Sequence, residues 1–346
     1  MFRFILLINI LIVPYFALGQ ITEDIELDSI QNESLQSLEK INDDLYLMNY
    51  QADYYFEEFR YKGIGDLNMN EFIKKYLDTI PGSMLWSCSA FMVRNQKNEI
   101  IVGRNFDWEN IPGMILITEP DQGYKSVSMV PVDLMINKEA KSAMDNQKLL
   151  WAPFFPVEGM NERGLVVIEL AVEGEKVFDE NKISMLSLHL IRLLLDNAAN
   201  LNESIELLSK YNNTASYRSH LFIADSTGSS AVIEYLDNEM VVSKNHNQWQ
   251  VVTNNMVYKT SDKRLRKECG RYDFMSQYLS SHHSAISTVG SMSLLRSVSV
   301  KNVYASQFNI TSSTQWSVVY NIGERCIDVV SRRDFRNKYH FELNKK

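Results

Sequence analysis

Ser87-Cys88-Ser89-Ala90-Phe91-Met92-Val93-Arg94-Asn95-Gln96-Lys97-Asn98-Glu99-Ile100-Ile101-Val102-Gly103-Arg104-Asn105-Phe106-Asp107-Trp108 is the stretch around which the chain is organised. F-M-V-R, the polar Asn95-Gln96-Lys97-Asn98 and I-I-V-G form the pattern of two strands joined by a turn. Arg104 lies 16 positions after Cys88, and Asp107 lies 19 after it. A hairpin folds its far end back beside its start. Both residues are therefore expected near Cys88, where a guanidinium stabilises a thiolate and a carboxylate orients a protonated group.

Upstream of this stretch the composition changes. Gln20 to Ser87 carries 14 acidic residues against 5 basic ones, whereas the chain from Cys88 onward carries 29 of each sign. Leu35, Leu38, Ile41, Leu45 and Met48 recur at spacings of 3, 3, 4 and 3, which predicts an amphipathic helix, and Asn70 to Leu77 predicts another short one. Aromatic residues crowd Tyr50-Gln51-Ala52-Asp53-Tyr54-Tyr55-Phe56, a stretch that could border an apolar pocket or meet a membrane surface. Residues 20–87 thus read as a helical prosegment or small subunit; on composition alone, an ordinary helical layer of one domain fits equally.

Met1 to Gly19 has one early cation, Arg3, an apolar run and a small-x-small exit at Ala17-Leu18-Gly19. That is the pattern of a secretory signal peptide; the run is shorter than the roughly 20 residues a spanning helix needs. A secreted, lysosomal or periplasmic location follows as the expectation. The sequons at Asn32, Asn202, Asn212 and Asn309 agree with export. Among three cysteines, Cys88, Cys269 and Cys326, two can pair and one is left over. Cys88 is expected to be the odd, reactive one, and the alternative is three thiols with no disulfide. A net charge of -8 with no basic cluster gives no reason to expect nucleic acid.

Downstream, the turn Gly159 to Gly164 feeds L-V-V-I-E-L-A-V over Leu165 to Val172, a buried strand whose Glu169 must be paired or face a cleft. Ser184 to Asn197 predicts a helix, and Asn200 with Glu203 caps a second one through Tyr211. Four strands of a meander are expected between Ser219 and Thr253, ending at Thr253-Asn254-Asn255. Asn254, just past a strand end, can present its amide to a developing oxyanion, although a turn asparagine fits the same place. A helix is expected from Arg271 to Leu279, and closing strands from Arg296 onward. Strands, helices and strands again in one large domain imply an α+β class with antiparallel sheets.

No His/Cys/Asp/Glu group at metal-ligand spacing occurs, nor a phosphate loop, a G-x-S-x-G elbow or the C-G-S-C-W pattern of papain-like enzymes, so no cofactor or metal is expected. His189 and His220 are isolated and read as structural. Sulfur remains as nucleophile. If the chain were cut between Ser87 and Cys88, the new α-amino group, with an ordinary pKa of about 7.7–8.0, would serve as base for its own thiol.

C-S-A-F followed by G-R-N-F-D-W, then G-M-N-E-R-G-L, T-N-N, R-Y-D and Q-W-S-V-V-Y in that order, resembles the choloylglycine hydrolase group of N-terminal-nucleophile hydrolases. That family of linear amide C–N hydrolases holds bile salt hydrolases, penicillin V acylases, acid ceramidase and N-acylethanolamine acid amidase. The resemblance implies a four-layer αββα sandwich over 88–346, with Cys88 as nucleophile and its freed amine as base. Arg104 and Asp107 would position thiolate and amine, and Asn254 would be the side-chain oxyanion donor. Arg271 would be the family's later arginine, ahead of Lys263, Arg264 and Arg266. The second oxyanion donor, a backbone N–H near Ala171, falls where this chain departs from its relatives with Glu169-Leu170-Ala171. A long segment before the cysteine is similar to the acid ceramidase and acylethanolamine amidase branch, which cuts after a prosegment. The implied substrate is an N-acyl amide, a lipid amide first and a bile salt or penicillin V amide second. An uncut, non-catalytic lipid-binding protein is the alternative of another class.

Overall fold

The computed structural model describes residues 27–54, 56, 88–135, 147–216, 219–258, 269–305 and 310–343. The expected signal peptide, the helix over Asn70 to Leu77, Ser87, Lys263, Arg264, Arg266 and Asn309 lie outside these residues.

The first described element is α1 (Ser29–Gln36), started by Asp28, whose side chain accepts from Gln31 N in a reciprocal capping box. The expected helix through Met48 does not form. Strands β1 (Glu39–Asn42) and β2 (Leu45–Tyr50) replace it, because Asn42-Asp43-Asp44 makes a turn in which Asn42 Oδ1 accepts from Asp44 N at 2.8 Å. Leu45, Met48 and Tyr50 are still buried, but beneath a sheet instead of a helical stripe. Tyr50, Tyr54 and Phe56 are buried as well, packed edge to face with one another and with Phe154, so these three aromatic side chains are core and not surface.

The opening hairpin is β3 (Ser89–Arg94) and β4 (Ile100–Trp108). Asn98 closes it with φ of 60°. There follow β5 (Gly113–Thr118), β6 (Ser126–Pro131), β7 (Glu158–Asn161) and β8 (Val166–Ala171), the last two turning at Gly164, whose φ of +81° suits glycine. Short β9 (Ile183–Met185) takes the first residues of the expected Ser184 helix, leaving α2 (Ser187–Asn197). Asn200 caps α3 (Leu201–Leu208) by accepting from Glu203 N, and β10 (Tyr211–Asn213) then pairs parallel with β9.

The meander consists of β11 (Ser219–Ala224), β12 (Ser230–Leu236) and β13 (Glu239–Lys244). Its expected fourth strand, β14 (Trp249–Val252), leaves that sheet and pairs with β3 instead. Helix α4 (Gly270–His282) runs a turn beyond the expected Leu279. Arg296 lies not in a strand but in α5 (Thr288–Val298), a helix capped by Ser287 that the sequence reading did not anticipate. The chain closes with β15 (Val303–Ala305), β16 (Ile310–Asn321), β17 (Cys326–Ser331) and β18 (Tyr339–Glu342).

Among the described residues nine strands form one sheet in the order β1-β2-β5-β6-β7-β8-β11-β12-β13, and a second sheet runs β14-β3-β4-β16-β17-β18 with β15 on β16. Alternation along the second sheet assigns its two faces. Ala90, Met92, Val102, Phe106, Trp316, Val318 and Tyr320 join the core shared with the nine-stranded sheet. Phe91, Val93, Ile101, Val319 and Val330 face α4 and α5. Helix α2 packs on β7 and β8 of the other sheet. The result is the expected αββα order of layers. Gly103 is required by close approach, since a Cβ there would sit 2.5 Å from the Phe91 ring.

Candidate active site

Register places the cluster. Ala90 pairs with Arg104 and Ser89 with Asn105, so Cys88, at the entry to β3, faces the end of β4. Arg104 Nη2 lies 3.6 Å from Cys88 Sγ and donates to Glu169 O at 2.9 Å. Its Nη1 pairs with Glu158 Oε1 at 2.6 Å. Glu158 also accepts from Trp316 Nε1 at 2.7 Å and Tyr320 Oη at 2.9 Å. An ion pair fully removed from water is costly unless its remaining hydrogen-bonding capacity is filled, and the indole and phenol do that for the carboxylate. The guanidinium stacks on the Phe106 ring at 4.7 Å, and Phe106 stacks on Trp316 at 4.1 Å. Arg104 is thus held from three sides.

Asp107 is fully buried, and its Oδ1 accepts from Thr314 Oγ1 at 2.5 Å. Its Oδ2 has no hydrogen-bond partner among the described residues; Arg271 Nη1 stands off at 3.7 Å, an ion-pair distance but not a hydrogen bond. That same Nη1 donates to Cys88 O at 2.6 Å, which puts the Asp107 carboxylate beside the backbone of Cys88. Arg271 Nη2 donates to Asn254 Oδ1 at 3.2 Å, and Asn254 Nδ2 donates to Ala171 O at 2.8 Å. The amide of Asn254 is therefore oriented with its N–H2 end turned to the strand that carries Glu169. All five expected residues, Cys88, Arg104, Asp107, Asn254 and Arg271, meet in one cluster.

Burial pushes the Cys88 thiol up, while the Arg104 charge and the Asp107 backbone N–H favour the thiolate. Burial also raises Asp107, to about 6, against Arg271, Thr314 and Arg104. Glu169 is raised by burial, with Ser219 and Ser187 opposing. His189 is buried and pushed down to about 3. His220 is spent between Glu234 Oε1 and Thr253 O, each 3.0 Å away. Neither histidine belongs to the cluster. All three cysteines are free, so no disulfide forms and Cys88 is not singled out by pairing of the others.

Glu158 escaped the sequence reading, because in Val157-Glu158-Gly159 it looks like the edge of a polar turn. The signal that could have exposed it is a single charge next to an apolar strand, the logic applied to Glu169.

The model of the linear amide C–N hydrolases, choloylglycine hydrolase family, matches residues 88–285, more than half of the chain. None of the curated proteins compared with the chain matches it. Among solved structures, a mutant of the conjugated bile acid hydrolase from Clostridium perfringens is similar at 16% identity and a TM-score of 0.56, covering 75% of this chain and 93% of that one. A second variant of that enzyme gives 15% identity and a TM-score of 0.57. Penicillin V acylase from Agrobacterium tumefaciens gives 19% identity and 0.56, covering 75% of this chain and 87% of that one. These likenesses establish a shared N-terminal-nucleophile hydrolase fold. The chain belongs to the choloylglycine hydrolase family of linear amide C–N hydrolases.

Proposed function

We propose that the Ser87-Cys88 bond is cut after export and that the freed Cys88 acts as both nucleophile and base on a linear N-acyl amide. The observation that carries this reading is Asp107 Oδ2, a fully buried acceptor without a hydrogen bond among the described residues, set beside the Cys88 backbone. A buried carboxylate oxygen calls for a donor, and an α-ammonium or amine at Cys88 supplies one. The amine takes the thiol proton, and the thiolate, steadied by Arg104, attacks the amide carbonyl. Asn254 Nδ2 contributes a hydrogen bond to the oxyanion. Collapse expels the amine, which leaves with the proton held on Cys88 N, and a thioester remains. Water, deprotonated by the same amine, then releases the fatty acid or other carboxylic acid and restores the thiol.

A lipid amide, an N-acylethanolamine or ceramide, is the substrate class we favour. What supports it is the stretch Gln20 to Ser87 before Cys88, similar to the family branch that cuts after a prosegment. Intact mass of the exported protein tests the cut: an unbroken chain through Ser87-Cys88 at neutral and at acidic pH would sink the reading. Turnover of ceramide, N-acylethanolamine, conjugated bile salt and penicillin V, with Cys88→Ala as control, assigns the substrate. Amino-terminal sequencing of the shorter fragment reads out removal of residues 1–19.

A further inference from the structure

Thr314, whose hydroxyl holds Asp107, also lines a cleft of about 430 Å³ at the ends of β4, β16 and β17. Three of the residues lining it are cations, Lys301, Arg332 and Arg333; the others are neutral, and no carboxylate is among them. Arg332 is committed, through Nη2 at 2.9 Å from Asp44 Oδ1 and through Nη1 to Gln315 Oε1. The other two are not. Arg333 uses Nε on Ser299 Oγ at 3.0 Å and its charge favours the ionised Asp107 carboxylate, but it makes no ion pair within 4 Å among the described residues, and Lys301 has no acidic partner among them.

A chain with a net charge of -8 has abundant carboxylates, yet none of those described lines this cleft. Cations gathered in a concave wall of low dielectric focus a positive field into the space they border. The backbone points the same way. Arg332 and Arg333 are consecutive and both left-handed, with φ of 49° and 62°, a conformation that suits glycine or asparagine and costs an arginine. Arg332 N is held to Gln315 O at 2.8 Å in that turn. On the same wall Ser313 Oγ donates to Asn302 Oδ1 at 3.1 Å, which turns the Asn302 amide so that its N–H2 end is left as a donor beside the cations.

We propose that this cleft binds a tetrahedral oxyanion of the phosphate class, held by Arg333 and Lys301, next to the carboxylate-bearing end of β4. The site stands whether or not the Ser87-Cys88 bond is cut. The phosphate could arrive free or as the headgroup of a lipid, and the two sources separate in one experiment. The full-length protein is titrated calorimetrically with inorganic phosphate at low ionic strength, and in parallel is co-sedimented with phosphatidylcholine vesicles with and without phosphatidic acid.

Saturable one-to-one phosphate binding, weakened at least about tenfold in Lys301→Gln and Arg333→Gln, supports a free anion. Co-sedimentation that requires phosphatidic acid and is lost in the same variants supports a headgroup. Saturable binding of neither probe, or variants that bind as the wild type does, overturns the proposal. Should Arg333→Gln melt early, the exposed and unpartnered Lys301→Gln carries the test alone.

Discussion

Arg104 Nη1 and Glu158 Oε1 lie 2.6 Å apart with both side chains fully buried, and the same guanidinium reaches Cys88 Sγ through Nη2 at 3.6 Å. The sulfur's environment is thus set by a carboxylate that never touches it. Removing one partner of a buried pair leaves an uncompensated charge, at a cost of about 3–5 kcal/mol. Glu158→Ala is expected to lose that much in guanidinium unfolding, and Glu158→Gln, which can still bond Trp316 and Tyr320, distinctly less. Equal midpoints for wild type and Glu158→Ala would show that Arg104 does not depend on Glu158.

Arg104 opposes the rise that burial imposes on the Cys88 thiol. Arg104→Met should therefore raise the midpoint of the pH dependence of Cys88 alkylation by about 1–3 units. Turnover should fall by about 100-fold as the thiolate becomes scarcer. The double variant Arg104→Met/Glu158→Gln relieves the stranded carboxylate and should show the same shift with better folding. An unchanged alkylation profile in both would remove Arg104 from the site.

Asp107 supplies a pH dependence of opposite sign to that of an ordinary salt-bridged carboxylate. Its pKa of about 6 in the folded chain lies above the unfolded value of about 3.9. The folded state therefore binds more protons between those values, and the contribution of Asp107 to stability is lost as pH rises from about 4 to about 6. Asp107→Asn should be more stable than the wild type above pH 6, in urea unfolding, and no more stable at about pH 4. In the proposed reaction the ionised carboxylate is needed and the freed ammonium of Cys88 favours it, so kcat/KM should climb along an acidic limb that lies below the value of the uncut chain, and that limb should vanish in the variant along with most activity.

Much of this site could be read before any coordinates because it is local. Cys88, Arg104 and Asp107 sit within one hairpin whose alternation and turn residues set the register. Arg271 entered only by resemblance, and Asn254 only as one of two readings of a residue past a strand end, since nothing in a T-N-N or R-Y-D triplet says which strand it will meet. Glu158 and its bonds to Trp316 and Tyr320 span 158 and 162 positions, and no local pattern reports such a contact. The spacing Leu35 to Met48 misled for a related reason. A 3–4 period is also satisfied by a helix end plus two short strands when a turn such as Asn42-Asp43-Asp44 resets the phase. Likewise β14 continues the apolar rhythm of the meander, and only its pairing with β3 shows that it has changed sheets.

Asn212, one of the four sequons, is expected to carry no glycan. Its Nδ2, the atom a sugar would occupy, donates to Asp179 O at 2.7 Å and Lys182 O at 3.0 Å, while its Oδ1 accepts from Asp179 N at 2.9 Å. Asn202 is exposed and open to modification. Glycopeptide mapping of the protein expressed through a glycosylating secretory pathway should find Asn212 bare. Asn212→Ala should cost about 1–3 kcal/mol by stranding those backbone groups. A glycan on Asn212 in folded protein would contradict the packing of this loop.

The stretch before Cys88 should outlast the proposed cut. Strand β2 pairs parallel with β5 from Leu45↔Gly113 to Tyr50↔Thr118, so its backbone bonds are part of the nine-stranded sheet. Tyr54 Oη lies 2.9 Å from Asp196 Oδ1, and Asp196 pairs with the fully buried Arg192 at 2.7 Å. Arg332 reaches back to Asp44. Losing this segment would expose a sheet edge and unseat a buried ion pair, each strongly unfavourable. After cleavage the two chains should co-elute in native gel filtration and separate only in guanidinium. Tyr54→Phe, which leaves Asp196 one donor short, should loosen the pair by about 1 kcal/mol, seen as earlier dissociation along the guanidinium series. Spontaneous separation in native buffer would mean that these strands form part of a removable cover and not of the working fold.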